Sequence, residues 1–97
     1  MANKSELESA FNAAIAQTRI RAETGMKTAS GDDARPHLEK LQQDLLGERE
    51  NAVATGSIDR EWLQKTVRWV ADWAPESDLT LIAALGRIAR LAPAPSL

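Results

Sequence analysis

One stretch decides the fold class: residues 58–75, which read IDREWLQKTVRWVADWAP. Asp59 can cap a helix that begins at residue 60, and Ile58 and Leu63 have the spacing of a hydrophobic staple. Apolar residues then recur at helical intervals until Pro75, which cannot donate a backbone hydrogen bond and disfavours helix at the residue before it. The stretch therefore predicts a helix over residues 60–74 with a wide apolar face.

Three other segments carry the same period with helix-type boundaries. Helices are predicted over residues 6–24, 34–54 and 78–92, with a linker at 25–33 and a short tail at 93–97. Two glycines and small polar residues predict that the linker is flexible. The apolar stripe of helix 1 holds only three large residues; its members are Leu7, Phe11, Ala14, Ile15, Thr18 and Ala22. We therefore expect a small all-α, four-helix domain in which helices 2–4 form a compact core and helix 1 packs more loosely.

Composition excludes several classes of protein. A chain of 97 residues without cysteine predicts one domain with no disulfides, no thiolate metal site and no cysteine nucleophile. The formal net charge of −2 is spread evenly along the chain. Binding to nucleic acid irrespective of its base sequence requires a cluster of Lys and Arg, and the sequence contains no such cluster. No apolar run is long enough to span a membrane and the first residues do not resemble a signal peptide, so a cytoplasmic location is expected. Usage rich in alanine and arginine suggests a bacterial source.

No pattern of residues indicates catalysis. His37 is the only histidine, lies among charged residues in a first helical turn, and is expected on the solvated surface. The five glycines are scattered, so no phosphate-binding loop is predicted. Acidic pairs are adjacent or two residues apart, which on a helix does not bring them to one point. We expect a protein that is not an enzyme and has no cofactor and no metal ion.

The tryptophans are the most informative feature. Trp62, Trp69 and Trp73 lie on one side of helix 3, at spacings of seven and four. They either supply core volume in a chain with one phenylalanine and no tyrosine, or place one edge, chiefly Trp69, in an interface. Helices 3 and 4 are apolar over about half of their circumference, whereas one neighbour needs a stripe of only about 100°. Leu79 projects away from the main face of helix 4 and either covers the preceding turn or joins that interface.

The expected function is a non-catalytic protein–protein interaction module: a small adaptor, regulator or subunit. Its partner is a protein or a second copy, bound through helices 3 and 4, with candidate interface residues Trp62, Trp69, Trp73 and Leu79. The alternative is a nucleic-acid-binding regulator that uses helices 3 and 4 as a helix-turn-helix-like pair. Arg87 and Arg90 are not at the N-terminal end of helix 4, where base-reading residues belong, so nucleic acid is the less favoured partner. No membrane partner is expected.

Overall fold

The protein is all α-helical over the residues that a computed structural model describes, 4–91. The helices are α1 (Lys4–Thr24), α2 (Arg35–Thr55), α3 (Arg60–Trp73) and α4 (Thr80–Leu91). The predicted four-helix, all-α architecture is confirmed. The six helix ends inside the described residues, from the end of α1 to the start of α4, lie within two residues of their predicted positions. Residue 92, expected to end the last helix, and the expected tail at 93–97 lie outside the described residues. Within residues 4–91, no helix combines the length and the apolar character that crossing a lipid bilayer requires.

Short-range hydrogen bonds define where the helices begin. Asp59 Oδ1 accepts from the Trp62 backbone N–H at 3.0 Å, and the predicted staple residues Ile58 and Leu63 are both buried. Asp78 Oδ1 accepts from the Thr80 N–H at 3.1 Å at the start of α4. Each carboxylate satisfies a backbone donor that has no partner within the helix, which is why these boundaries can be located from sequence.

Helix α1 lies at the centre of the packing, against both α2 and α4. This arrangement corrects the expectation of a loosely packed helix 1. Ala10 and Ala14 on its inner face are almost completely buried, and residues this small let neighbouring backbones approach closely. The larger side chains of the core come from all three helices; those fully buried include Leu7 and Phe11 of α1, Leu38, Leu41 and Leu45 of α2, and Leu81, Leu85 and Ile88 of α4.

Helix α3 packs against α4, and among residues 4–91 no Cα atom of α3 lies within 8 Å of one in α2. The helices therefore follow the spatial order α2, α1, α4, α3 rather than forming the expected compact unit of helices 2–4. Large rings fill the space between the separated helices. Trp62 stacks on Phe11 of α1 with ring centroids 6.5 Å apart, and Trp73 stacks on His37 of α2 at 5.1 Å.

The segment between α1 and α2, predicted to be a flexible linker, forms a hydrogen-bonded loop. The Thr28 N–H donates to the Asp32 carbonyl at 2.8 Å, and Thr28 itself is buried. The Ala29 N–H donates to the carbonyl of Trp73 at 2.8 Å, which ties the loop to the end of α3. Gly25 and Gly31 have φ angles of 77° and 91°, a conformation that glycine adopts without a steric penalty. The two glycines therefore shape the turns of a closed loop.

Candidate protein interface

The four candidate interface residues occupy three different environments. Trp73 is only 7% exposed and belongs to the core. Trp62 and Trp69 are half-buried and pack against the edge of that core. Leu79 is 57% exposed in the segment just before α4. Trp73 therefore fills the core, as the first interpretation predicts. Trp62 and Trp69 reach the surface, where their role in an interface stays a prediction.

Trp69 is held in place by contacts on several sides. Its ring meets Trp73 edge-on at 5.4 Å between centroids and His37 edge-on at 5.6 Å. The ammonium group of Lys40 lies 5.4 Å from the centroid of the Trp69 ring, within the range of a cation–π interaction. These contacts restrict the side-chain torsions of Trp69, so its exposed edge has a defined orientation.

His37 departs from the sequence-based expectation of a solvated surface residue. It is half-buried and stacks on Trp73 with an angle of 21° between the rings. The sequence contained a signal for this position: His37 precedes Leu41 by four residues, so it lies on the buried face of α2. Its charged neighbours in sequence concealed that signal.

Trp62 and Trp69 line an open groove between α2 and α3, which we call the tryptophan groove. Its volume is about 250 Å³, and its lining residues are Lys40, Asp44, Trp62, Lys65, Thr66 and Trp69. Both lysines already have carboxylate partners at 2.9 Å, Asp44 for Lys40 and Glu61 for Lys65. The mouth of the groove is therefore close to charge-neutral, and its distinctive feature is aromatic surface.

A second groove lies on the other flank of α3, where that helix meets α4; we call it the arginine groove. Its volume is about 440 Å³, and its lining residues are Arg60, Leu63, Gln64, Val67, Arg68 and Ala89. This surface is not among those predicted from the sequence. The helical spacing of Arg60, Gln64, Val67 and Arg68, at intervals of four, three and one, was the available signal.

The exposed Leu79 adjoins an ion pair that joins α1 to the start of α4. Arg21 donates from Nε to Asp78 Oδ2 at 2.9 Å and from Nη2 to Asp78 Oδ1 at 3.1 Å. The hydrogen bonds from Arg21 and Thr80 lower the pKa of Asp78 to about 2. Ile20, 46% exposed, and Leu79 are the chain neighbours of the two ion-pair residues, so both apolar side chains belong to the same end of the molecule.

Three carboxylates influence one another between the middle of α2 and the start of α3. Burial raises the pKa of Glu48, and the nearby carboxylates of Asp59 and Asp44 raise it further. Of these carboxylates, Asp44 also lines the tryptophan groove, where it is paired with Lys40.

Among the residues that the structure describes, no three histidine, aspartate or glutamate side chains come together in a way that could hold a metal ion. Comparison of the chain with models of protein families, with curated proteins and with solved structures finds no match. The arrangement of the described residues is thus the basis for assigning a function.

Proposed function

We propose that this protein is a non-catalytic protein–protein interaction module whose partner inserts an apolar side chain into the tryptophan groove. The observation that carries the proposal is the half-burial of Trp62 and Trp69, which leaves two indole edges lining one open groove. A buried aromatic ring removes about 150–250 Å² from water, and tryptophan is among the residues that contribute most to binding at interfaces.

The contacts of Trp69 make it suited to binding. Trp73, His37 and Lys40 already restrict its ring in the free protein. A side chain that is ordered before binding loses little conformational entropy when a partner covers it, and this entropy otherwise opposes association by about 0.5–1.5 kcal/mol per side chain. Trp73 then acts as a positioning residue within the module, and Trp62 and Trp69 are the contact residues.

The shape and charge of the groove favour a partner protein over a second copy. A symmetric dimer would fill the two grooves only if each copy also presented a protruding apolar side chain close to its own groove. Since Lys40 and Lys65 are paired with carboxylates of this chain, the groove favours a protruding apolar side chain. A cytoplasmic location is part of the proposal, and fractionation of host cells tests it.

The proposal is tested by replacing Trp69→Ala in the tagged protein and capturing partners from its native host. We expect the wild type to retain a protein that the variant loses. With that partner purified, Trp69→Ala should weaken binding by more than about tenfold, because it removes a central aromatic anchor. Val53→Ala is the control, since it removes a partly exposed apolar side chain of α2 that lines neither groove. Leu79→Ala tests the exposed candidate residue outside the groove.

Two outcomes would contradict this proposal. One is a partner bound equally by wild type and by a folded Trp69→Ala variant, with circular dichroism reporting the helix content. The other is a concentration-dependent dimer in sedimentation experiments that Trp69→Ala dissociates. That result would assign the tryptophan groove to a second copy of the chain.

A further inference from the structure

We propose that the arginine groove binds an acidic amphipathic peptide segment of a partner protein. In this arrangement an apolar side chain of the peptide rests on Leu63, Val67 and Ala89, and a neighbouring carboxylate pairs with Arg68. The site lies on the flank of α3 opposite the tryptophan groove, and shares no lining residue with it. This inference therefore does not depend on the function proposed above.

The floor of the groove is suited to an apolar side chain. Leu63 is buried beneath it, Val67 is half-buried, and Ala89 is exposed on the α4 side. The volume of about 440 Å³ falls within the range of about 300–1,000 Å³ for ligand-binding clefts. An alanine at position 89 leaves the groove open where a longer side chain would fill it.

The charges around the groove select an acidic partner. Arg60 and Arg68 line it, and none of its six lining residues is acidic. The side chain of Arg68 is exposed and makes no hydrogen bond or ion pair with any of residues 4–91, whereas the side chains of Lys40 and Lys65 on the other flank are both paired. Helix α4 contributes Ala89 to the lining and contains no aspartate or glutamate. The guanidinium of Arg68 is thus free to donate two parallel hydrogen bonds to a carboxylate of the peptide.

Two other occupants fit these features less well. A symmetric pairing of two copies through this groove would bring the arginines of one copy towards those of the other, and like charges oppose such contact. Nucleic acid would use the arginines but not the apolar floor, because its phosphates and sugars offer no aliphatic side chain to bury. An amphipathic acidic peptide uses both the floor and the rim.

The experiment is selection from a random peptide display library against the immobilised full-length protein, followed by fluorescence anisotropy with the most enriched peptide carrying fluorescein. We expect enriched sequences in which aspartate or glutamate flanks leucine, isoleucine, methionine or phenylalanine. Arg68→Glu should weaken binding of that peptide by about tenfold or more, because it places a like charge against the peptide carboxylate. Higher salt should weaken binding to the wild type as well.

Two further variants separate this site from a general charge effect. Lys65→Glu makes the same change of charge on the same helix but on the opposite flank, and should change the affinity by no more than about twofold. Ala89→Phe fills the groove without changing its charge, and it should weaken binding of the peptide as Arg68→Glu does. Circular dichroism confirms that each variant retains its helices.

Several results would overturn the inference. These are enriched peptides with no excess of acidic residues, peptides that bind Arg68→Glu as well as wild type, and no enrichment above uncoated beads. A mixed-sequence DNA duplex that binds at low salt and is lost with Arg68→Glu, while no peptide binds, would assign the groove to nucleic acid. An oligomer of the wild type that Arg68→Glu dissociates would assign it to a second copy.

Discussion

At the scale of single residues, Asp78 shows how one carboxylate can serve two purposes. Its oxygens accept two hydrogen bonds from Arg21 of α1 and one from the backbone N–H of Thr80. It thereby begins α4 and joins that helix to the far end of α1. These hydrogen bonds favour the ionised form, and they lower its pKa from an ordinary 3.8 to about 2.

The lowered pKa of Asp78 predicts a specific dependence of stability on pH. Because the folded-state pKa lies below the unfolded value, the stabilisation is fully present above about pH 4 and is lost as the pH falls towards 2. Asp78→Asn keeps a good helix-capping residue but removes the charge, and should lower the free energy of unfolding at pH 7 by about 1 kcal/mol. Urea unfolding at pH 7 and in steps from pH 4 to pH 2 measures both effects.

The variant Glu61→Gln is the control for this prediction, because Glu61 pairs with Lys65 on the exposed surface of one helix and its loss should change stability only slightly. If the difference in the free energy of unfolding between wild type and Asp78→Asn stayed constant from pH 7 to pH 2, the assigned role of the Asp78 charge would be contradicted.

The tryptophans show the limit of inference from single residues. Their spacing on α3 correctly put them on one side of the helix, but it could not say which ring meets solvent. The exposure of each ring depends on the gap between α2 and α3. Trp73 is stacked on His37 of α2, whereas Trp62 and Trp69 line the groove that remains between the two helices. Contacts between residues 36 apart in the chain, such as His37 with Trp73, have no local signal strong enough to be read in advance.

At the scale of helices, the boundaries were predictable and the packing was not. Caps such as Asp59 and stops such as Pro75 act through atoms a few residues away, so their effect is present in the local sequence. The number of large apolar residues in a helix is a poor measure of how closely it packs, and the central position of α1, whose apolar stripe has only three large residues, shows this. Ala10 and Ala14 contribute by being small, since they allow α2 and α4 to lie close to α1.

The close packing of α1 predicts that a larger side chain in place of one of its buried alanines lowers the free energy of unfolding. Ala14→Leu should lower the free energy of unfolding by about 1–3 kcal/mol, because the added atoms must separate well-packed helices. The exposed Ala16 on the same helix is the matched control, and Ala16→Leu should stay within about 0.5 kcal/mol of wild type. Chemical denaturation followed by far-UV circular dichroism gives both values. Equal effects of the two variants would mean that α1 is not closely packed.

At the scale of the whole molecule, the spatial order α2, α1, α4, α3 creates the two grooves. Helix α3 rests on α4 and reaches the rest of the protein mainly through aromatic rings. One flank of α3 faces α2 across the tryptophan groove, and the other faces α4 across the arginine groove. A single helix therefore presents one aromatic surface and one cationic surface, in different directions.

The same order predicts how the molecule opens. Central amides of α1 should exchange with solvent only on global unfolding, and at least as slowly as those of α3, because α1 is covered by two helices. The Ala29 N–H should also be protected, since it bonds to the carbonyl of Trp73. Hydrogen exchange followed by NMR measures these rates residue by residue. Faster exchange in α1 than in α3 would restore the sequence-based expectation that helix 1 is the loosest element.

The sequence by itself determined the all-helical class, the four helices and nearly all of their ends, because helical period and capping depend on residues within about one turn of each other. It also indicated that α3 and α4 each have more apolar surface than one neighbouring helix needs. Only the tertiary structure decided that α1 is central and that Arg60 and Arg68 line a groove. It also decided that Trp73 is buried while Trp62 and Trp69 are half-buried. Those properties depend on distances between helices, which are set by the close packing of side chains from distant parts of the chain.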